Sequence, residues 1–343
     1  PAAMVERLGT LIARALRWLG KGLALLLVVV GVSWAALALF FMSPPWEWVG
    51  RLLAAAFVVF SVWTLGRKRT PRARAAFALV FLGVVVWFAS IRPSHDRPWR
   101  PEVAVMPRAE IDGDVVRISG YRDFEYSSRN EFTERHEVRE VELSHLIAVD
   151  FFVSFFWPDT PIGHTFVSFV FDNAPPVSIS IETRPEVGES FAPIASLFKQ
   201  FELIYLVGSE RDIVGVRTNH RREGVYLFRI QTSPEFVRRL FLIYLERINE
   251  LADQPEWYHL LTNSCTINIV RYANAAGREG RFDVRHLLNG LSDAYLYSAG
   301  FLDTALPLDE LRRRSRVNAA AEAAEGSPDF SRAIRESLPA MSP

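Results

Sequence analysis

A second cysteine is missing from this chain of 343 residues, so Cys265 stands alone. That excludes a disulfide within the chain and a thiolate cluster for zinc, since each takes more than one sulfur. The seven histidines show no pair at zinc-site spacing, so neither a metal nor a cofactor is expected. Net charge is missing too, because 39 lysines and arginines balance 39 acids. Such a balance leaves no reason to expect nucleic acid as a partner. Charge is wholly absent from Gly22 to Trp46, 25 positions filled mostly by valine, leucine, alanine and phenylalanine. A helix needs roughly 20 apolar residues to cross a bilayer, whereas the apolar part of a signal peptide takes about 7–15.

Two more apolar runs follow, Leu52 to Gly66 and Ala75 to Ile91, the second bracketed by Arg74 and Arg92. They predict three transmembrane helices at about 22–43, 47–66 and 75–91. A buried hairpin after a single anchor is the bland alternative. Arg7, Arg14, Arg17 and Lys21 precede the first run, and Arg67, Lys68, Arg69, Arg72 and Arg74 crowd the loop between the second and third. The loop at Ser43-Pro44-Pro45 carries no lysine or arginine. The positive-inside rule then puts the N-terminus in the cytoplasm and everything after Arg92 outside, which is the periplasm for a bacterial inner membrane. There an unpaired cysteine is an intermolecular link, a reactive thiol, or a small buried hydrophobe.

Residues 93–110 are rich in proline and charge and are expected to be a linker. Strands are expected at Asp114–Ser119, His136–Leu143, Leu146–Phe156, Ile213–Thr218 and Val225–Gln231. His164–Phe171 and Val177–Arg184 flank the turn cluster "DNAPP" and predict an antiparallel hairpin. Apolar residues at helical spacing predict a helix within Gly188–Val207. Ser233-Pro234-Glu235 opens another, to about Ala252, with serine as N-cap and proline in the first turn. Residues after about Arg312 are expected to be loosely ordered. The exported domain, 111–312, is therefore α+β with a mainly antiparallel sheet.

"LTNSCTINIV" places Cys265 in the first turn of a helix that Asn263 or Ser264 can cap and that Gly277 ends. Free amides and the positive end of the dipole stabilise a thiolate there. Such a nucleophile needs a base. His164 opens a strand, and with the hairpin turn near Ala174-Pro175 it falls opposite Arg184, with Glu182 as its diagonal neighbour. Alternation sets Val167, Phe169, Phe171, Ile179 and Ile181 on one face. The other carries His164, Ser168, Ser178, Ser180, Glu182 and Arg184. A carboxylate beside the ring would fix its tautomer and raise its basicity. Asn263 and the Cys265 amide are candidate oxyanion donors. The alternative is an ordinary solvated polar strand pair.

The segments "YRDFEY", "GHTFVSFVFD", "SISIETR", "FELIYLVGSERDIVGVRTNHR" and "PEWYHLLTNSCTINIVRY" resemble the family named after the N-terminal periplasmic domain of Lnb, a lipoprotein N-acyltransferase. The resemblance runs from about Arg97 to Leu306. It implies a permuted papain-like, NlpC-type thiol-enzyme fold, with the histidine strand ahead of the cysteine helix. It also implies Cys265 as nucleophile and His164 as base. The activity it implies moves an acyl chain from membrane phospholipid, through a thioester, to the N-terminal amine of a lipoprotein. A thiol hydrolase or cell-wall amidase shares the same two residues. A membrane assembly module with no enzyme activity would not need them close together.

Overall fold

The computed structural model describes residues 2–41, 47–68, 70–157, 160–278, 280–336 and 338. The chain divides into two compact units, Pro1–Arg92 with Phe198–Gln200, and Pro93–Leu197 with Phe201–Pro343.

The first unit holds α1 (Ala2–Phe40), α2 (Glu47–Ser61), continued by a π-helical stretch Val62–Lys68, and α3 (Pro71–Ser90). Thr70 caps α3 by accepting from the Ala73 amide, with Pro71 in the first turn. Leu11–Phe40, Trp48–Lys68 and Pro71–Ser90 are each long and apolar enough to cross a membrane. The first helix begins well before residue 22, because charged Arg14 and Arg17 continue it; its expected end and the Ser43-Pro44-Pro45 loop lie outside the described residues. These helices invert the usual pattern. Leu23, Leu26, Val59, Leu79 and Val86 are exposed, and the buried cluster is only Ala35, Leu39, Ala54 and Phe57. Apolar outward faces suit hydrocarbon. The Ser61 and Thr64 hydroxyls bond back to the carbonyls of Phe57 and Phe60, so neither is left unpaired among apolar surroundings.

The second unit is α+β. Its elements are β1 (Arg108–Asp112), β2 (Val115–Arg122), β3 (Glu125–Tyr126), β4 (Phe132–Thr133), β5 (His136–Glu142), β6 (Leu146–Phe155), β7 (His164–Phe171), β8 (Val177–Arg184) and β9 (Glu202–Gly208). They continue with α4 (Glu210–Ile213), β10 (Gly224–Arg229), α5 (Pro234–Asp253), α6 (Cys265–Ala275), α7 (Ser292–Ser298), α8 (Leu308–Ser315), α9 (Asn318–Ala323) and α10 (Phe330–Ala333). The main sheet runs β1-β2-β9-β8-β7-β6-β10, with β5 also on β2, and every pairing but β2–β9 is antiparallel.

One face of the sheet carries Phe151, Val167 and Phe169 and is covered by α5 and α6. Phe241 and Tyr244 of α5 meet the Phe169 ring, and Tyr272 of α6 meets Tyr244. The other face stacks Phe152 on Phe166 at 4.6 Å and packs with Ile204, Leu227, Val317, Ala321, Phe330 and Ile334. Both faces are therefore buried, so the polar face of the β7–β8 hairpin is not solvated. Ser168 and Ser178 oppose each other and bond at 2.5 Å.

Several expectations need correction. The helix expected within Gly188–Val207 is a short 3₁₀ turn, Ala195–Leu197, followed by β9. "ELIYLVG" is buried on both sides between β8 and β2, and such a run has no two-residue alternation to betray a strand. Ile213–Thr218 is not a strand: Ser209 caps α4 through the Asp212 amide, and a π-helical turn Val216–His220 follows. The expected linker is packed into the domain, with Val103 buried and Arg184 bonded to the carbonyls of Val103 and Ala104. The stretch after Arg312, expected to be loose, forms α9 and α10. Val317, Ala321, Phe330 and Ile334 are buried, and Arg335 is paired with Asp150 and Glu210. Val317, Ala321, Phe330 and Ile334 pack into the core on the sheet's face, so low average hydropathy hid a core contribution.

Candidate functional site

Cys265 is the first residue of α6. Ser264 occupies the N-cap with extended backbone, and its side chain makes no capping bond. The thiol is 2% exposed. Thr165 of β7 and Thr266 of α6 share a hydroxyl–hydroxyl bond of 2.8 Å, which pins the start of the helix to the start of the strand.

The start of that strand is clamped as well. Gly163 donates its amide to Asn289 Oδ1 (2.8 Å), and Asn289 Nδ2 donates to the Gly163 carbonyl (2.6 Å). A Cβ on residue 163 would stand 2.6 Å from the Ser154 carbonyl oxygen, so only glycine permits this approach. Asn289 Nδ2 is also 3.7 Å from the Cys265 sulfur. His164, next in the chain, is buried and close enough to the thiol for each to shift the other's pKa.

The β7–β8 register differs from the expected one by two residues. Phe166 pairs with Ser180 and Val167 with Ile179, which brings Glu182, not Arg184, into line with His164. An even shift preserves the faces, so Glu182 still meets the ring. His164 Nε2 lies 2.7 Å from Ser180 Oγ and 3.1 Å from Glu182 Oε1. Ser180 donates to Glu182 (2.6 Å), so it accepts from the ring. With Nε2 as donor, Nδ1 is the nitrogen left for the thiol. Arg184 turns elsewhere, over the Trp99 ring at 4.2 Å.

Glu182 also accepts from Arg217 Nη2 at 2.5 Å. Arg217 reaches Glu223 at 3.4 Å, and Ser154 donates to Glu223 at 2.5 Å. A buried network of this kind holds its members in one geometry. Burial, the largest influence, would lower the His164 pKa, but the Glu182 carboxylate and the Cys265 thiol together outweigh it and Arg217 and lift it to about 9. Burial alone would raise Cys265, but the His164 imidazolium and the Thr165 amide and hydroxyl pull it down to about 6. Glu182 is held well below the usual carboxylate range: burial opposes this, but His164 and Arg217 outweigh it. Both shifts favour the thiolate–imidazolium form of the pair. Tyr258 is buried, and burial with the nearby sulfur pushes its pKa well up.

Asn263 does not fill its expected role. Its amide hydrogens go to Glu256 Oε2 (3.1 Å) and the Trp257 carbonyl (2.8 Å), and its oxygen accepts from Asn268 (2.9 Å). Both donors are spent shaping the loop ahead of α6. Asn289 Nδ2 at 3.7 Å and Thr266 Oγ1 at 3.8 Å are side-chain groups within reach of the sulfur. Ser180, Arg217, Tyr258 and Asn289 were not picked out from sequence. Only Tyr258 sits near the cysteine in the chain.

Residues 132–290 match the family model described as the Lnb N-terminal periplasmic domain, the family that the motifs resemble. The matched span contains His164, Glu182, Arg217, Cys265 and Asn289. No curated protein and no solved structure matches the chain.

Proposed function

We propose that this chain, whose residues 132–290 match the Lnb N-terminal periplasmic domain family, is a membrane-anchored thiol acyltransferase with its second unit in the periplasm. The observation that supports this most is a buried cysteine at a helix N-terminus beside a histidine oriented by Ser180 and Glu182. The three apolar helices suit an enzyme whose donor and acceptor are both lipids, and the arginine distribution favours a cytoplasmic N-terminus.

In the first half-reaction the Cys265 sulfur attacks the ester carbonyl of a phospholipid, forming a C–S bond. The oxyanion gathers hydrogen bonds from the Cys265 amide and Asn289 Nδ2. As the intermediate collapses the C–O bond breaks, and the leaving alkoxide takes the proton of the His164 imidazolium. A lysophospholipid departs and the acyl group stays as a thioester. In the second half the neutral imidazole accepts a proton from the amine of a diacylglyceryl-cysteine lipoprotein as its nitrogen attacks the thioester. The thiolate leaves, and an amide is formed.

The test is intact-protein mass spectrometry after incubation with phospholipid vesicles. An acyl-sized mass on the wild type, removed by neutral hydroxylamine and absent from Cys265→Ser and His164→Ala, is the expected result. No adduct with any lipid would sink acyl transfer from lipid and leave the amidase chemistry. Adding a diacylated lipopeptide then separates transfer from hydrolysis, since only transfer puts the mass on the peptide amine.

A further inference from the structure

A cavity of roughly 70 Å³ lies between the sheet, α5, α6 and α7. Thr266, Ile269, Val270 and Ala273 of α6 form one wall. That spacing is a single helical stripe, about 10 Å long at 1.5 Å per residue. It starts at the nucleophile, because Thr266 Oγ1 is 3.8 Å from the Cys265 sulfur. Val149, Phe151 and Val167 of the sheet, with Phe236 of α5 and Phe301, close the apolar remainder. The space has room for several water-sized groups in line, but apolar walls give water almost nothing to bond.

The same cavity has polar lining as well, from Thr266, Arg278, His286, Ser292 and Tyr295. His286 and Ser292 line it and are 2% and 3% exposed. Among the described residues neither His286 Nε2 nor Ser292 Oγ has a hydrogen-bond partner. The Asp283 amide donates to His286 Nδ1, so Nε2 carries the hydrogen of the neutral ring. Two buried donors without an acceptor are costly in a folded protein and call for a ligand oxygen. Both residues are three positions from Asn289, whose side chain is 3.7 Å from the sulfur. His286 packs against Tyr295 at 4.5 Å, on the wall that Arg278 also lines.

We propose that this cavity is the acyl-chain site of the enzyme: the hydrocarbon runs along the Thr266–Ala273 stripe of α6, and His286 and Ser292 offer unpaired donors to an oxygen of the ligand. The ligand class is an aliphatic acyl ester. The assignment rests on the thiol acyltransferase reading and adds to it a chain-length selector.

Full-length protein in detergent micelles would be acylated with p-nitrophenyl acetate and p-nitrophenyl octanoate, scoring the hydroxylamine-labile adduct by mass. Methylenes that leave water for an apolar site each favour binding, so the wild type should take octanoyl over acetyl by about tenfold or more. Ala273→Phe, which fills the stripe, should collapse that ratio. Phe236→Ala, which opens the far wall, should move the preference from octanoyl toward dodecanoyl, and it serves if the first variant does not fold. Equal acylation by acetyl and octanoyl in the wild type overturns the cavity assignment and leaves the thiol enzyme standing. So does a ratio unchanged in a folded variant. Failure of every ester to acylate the wild type refutes the enzyme reading itself, and this one with it.

Discussion

Glu182→Gln tests the electrostatics of the site most directly. The substitution keeps size and an acceptor for Ser180 but removes the charge 3.1 Å from His164 Nε2. A carboxylate at that distance raises a partner's pKa by about one to three pH units, or about 1.4–4 kcal/mol. Arg217, left facing the ring without its 2.5 Å partner, pushes in the same direction. The imidazolium of His164 is thereby destabilised from its value of about 9, and Cys265 loses the charge that holds it near 6. The thiol should therefore titrate about one to two pH units higher in the variant. Because Cys265 is the one cysteine in the chain, iodoacetamide alkylation against pH reads this thiol with no background. Wild-type alkylation should rise with a midpoint near 6, and the variant's nearer an ordinary thiol. The sign is fixed. Below about 6 the thiol is protonated, and above about 9 the imidazolium loses its proton, so acylation should peak between these limits. An ordinary thiol midpoint in the wild type, or the same midpoint in both proteins, would refute the ion-pair argument.

Asn289→Ala removes both bonds to Gly163 and leaves that amide without its acceptor. The expected loss is about 1–3 kcal/mol in thermal or denaturant unfolding, with slower thioester formation in the mass assay. Phe330→Ala empties a fully buried site in the core of the C-terminal segment, and about 3–5 kcal/mol should be lost; a truly loose tail would show no change in melting temperature. Ser119→Cys in a Cys265→Ser background puts one thiol on an exposed strand residue. A membrane-impermeant maleimide should label it in spheroplasts if the domain is periplasmic, and labelling only after lysis would reverse the orientation.

Cys265 and His164 were legible because each has a local signature: a thiol in the first turn of a capped helix, and a histidine opening a strand beside a turn cluster. Glu182 was legible through face parity, which survived a register error of two residues because side chains alternate every residue. Arg217 and Asn289 left no such trace. Arg217 lies 35 positions from Glu182, and Asn289 lies 126 from Gly163. Nothing near either in sequence says that they meet. The C-terminal helices were missed for the same reason, since Val317 and Phe330 become core only where the sheet offers them a face.

By itself, then, the sequence determined the elements with a strong local cause. These are three helices too apolar for water, a capped helix led by a lone thiol, and alternating strands. Tertiary structure alone decided which donors face the sulfur, that Asn263 is occupied elsewhere, that a charged network stands behind His164, and that an apolar cavity begins at Thr266. Periodicity and capping act over a few residues, whereas the site is assembled from side chains separated by 16 to 126 residues, which only packing brings together.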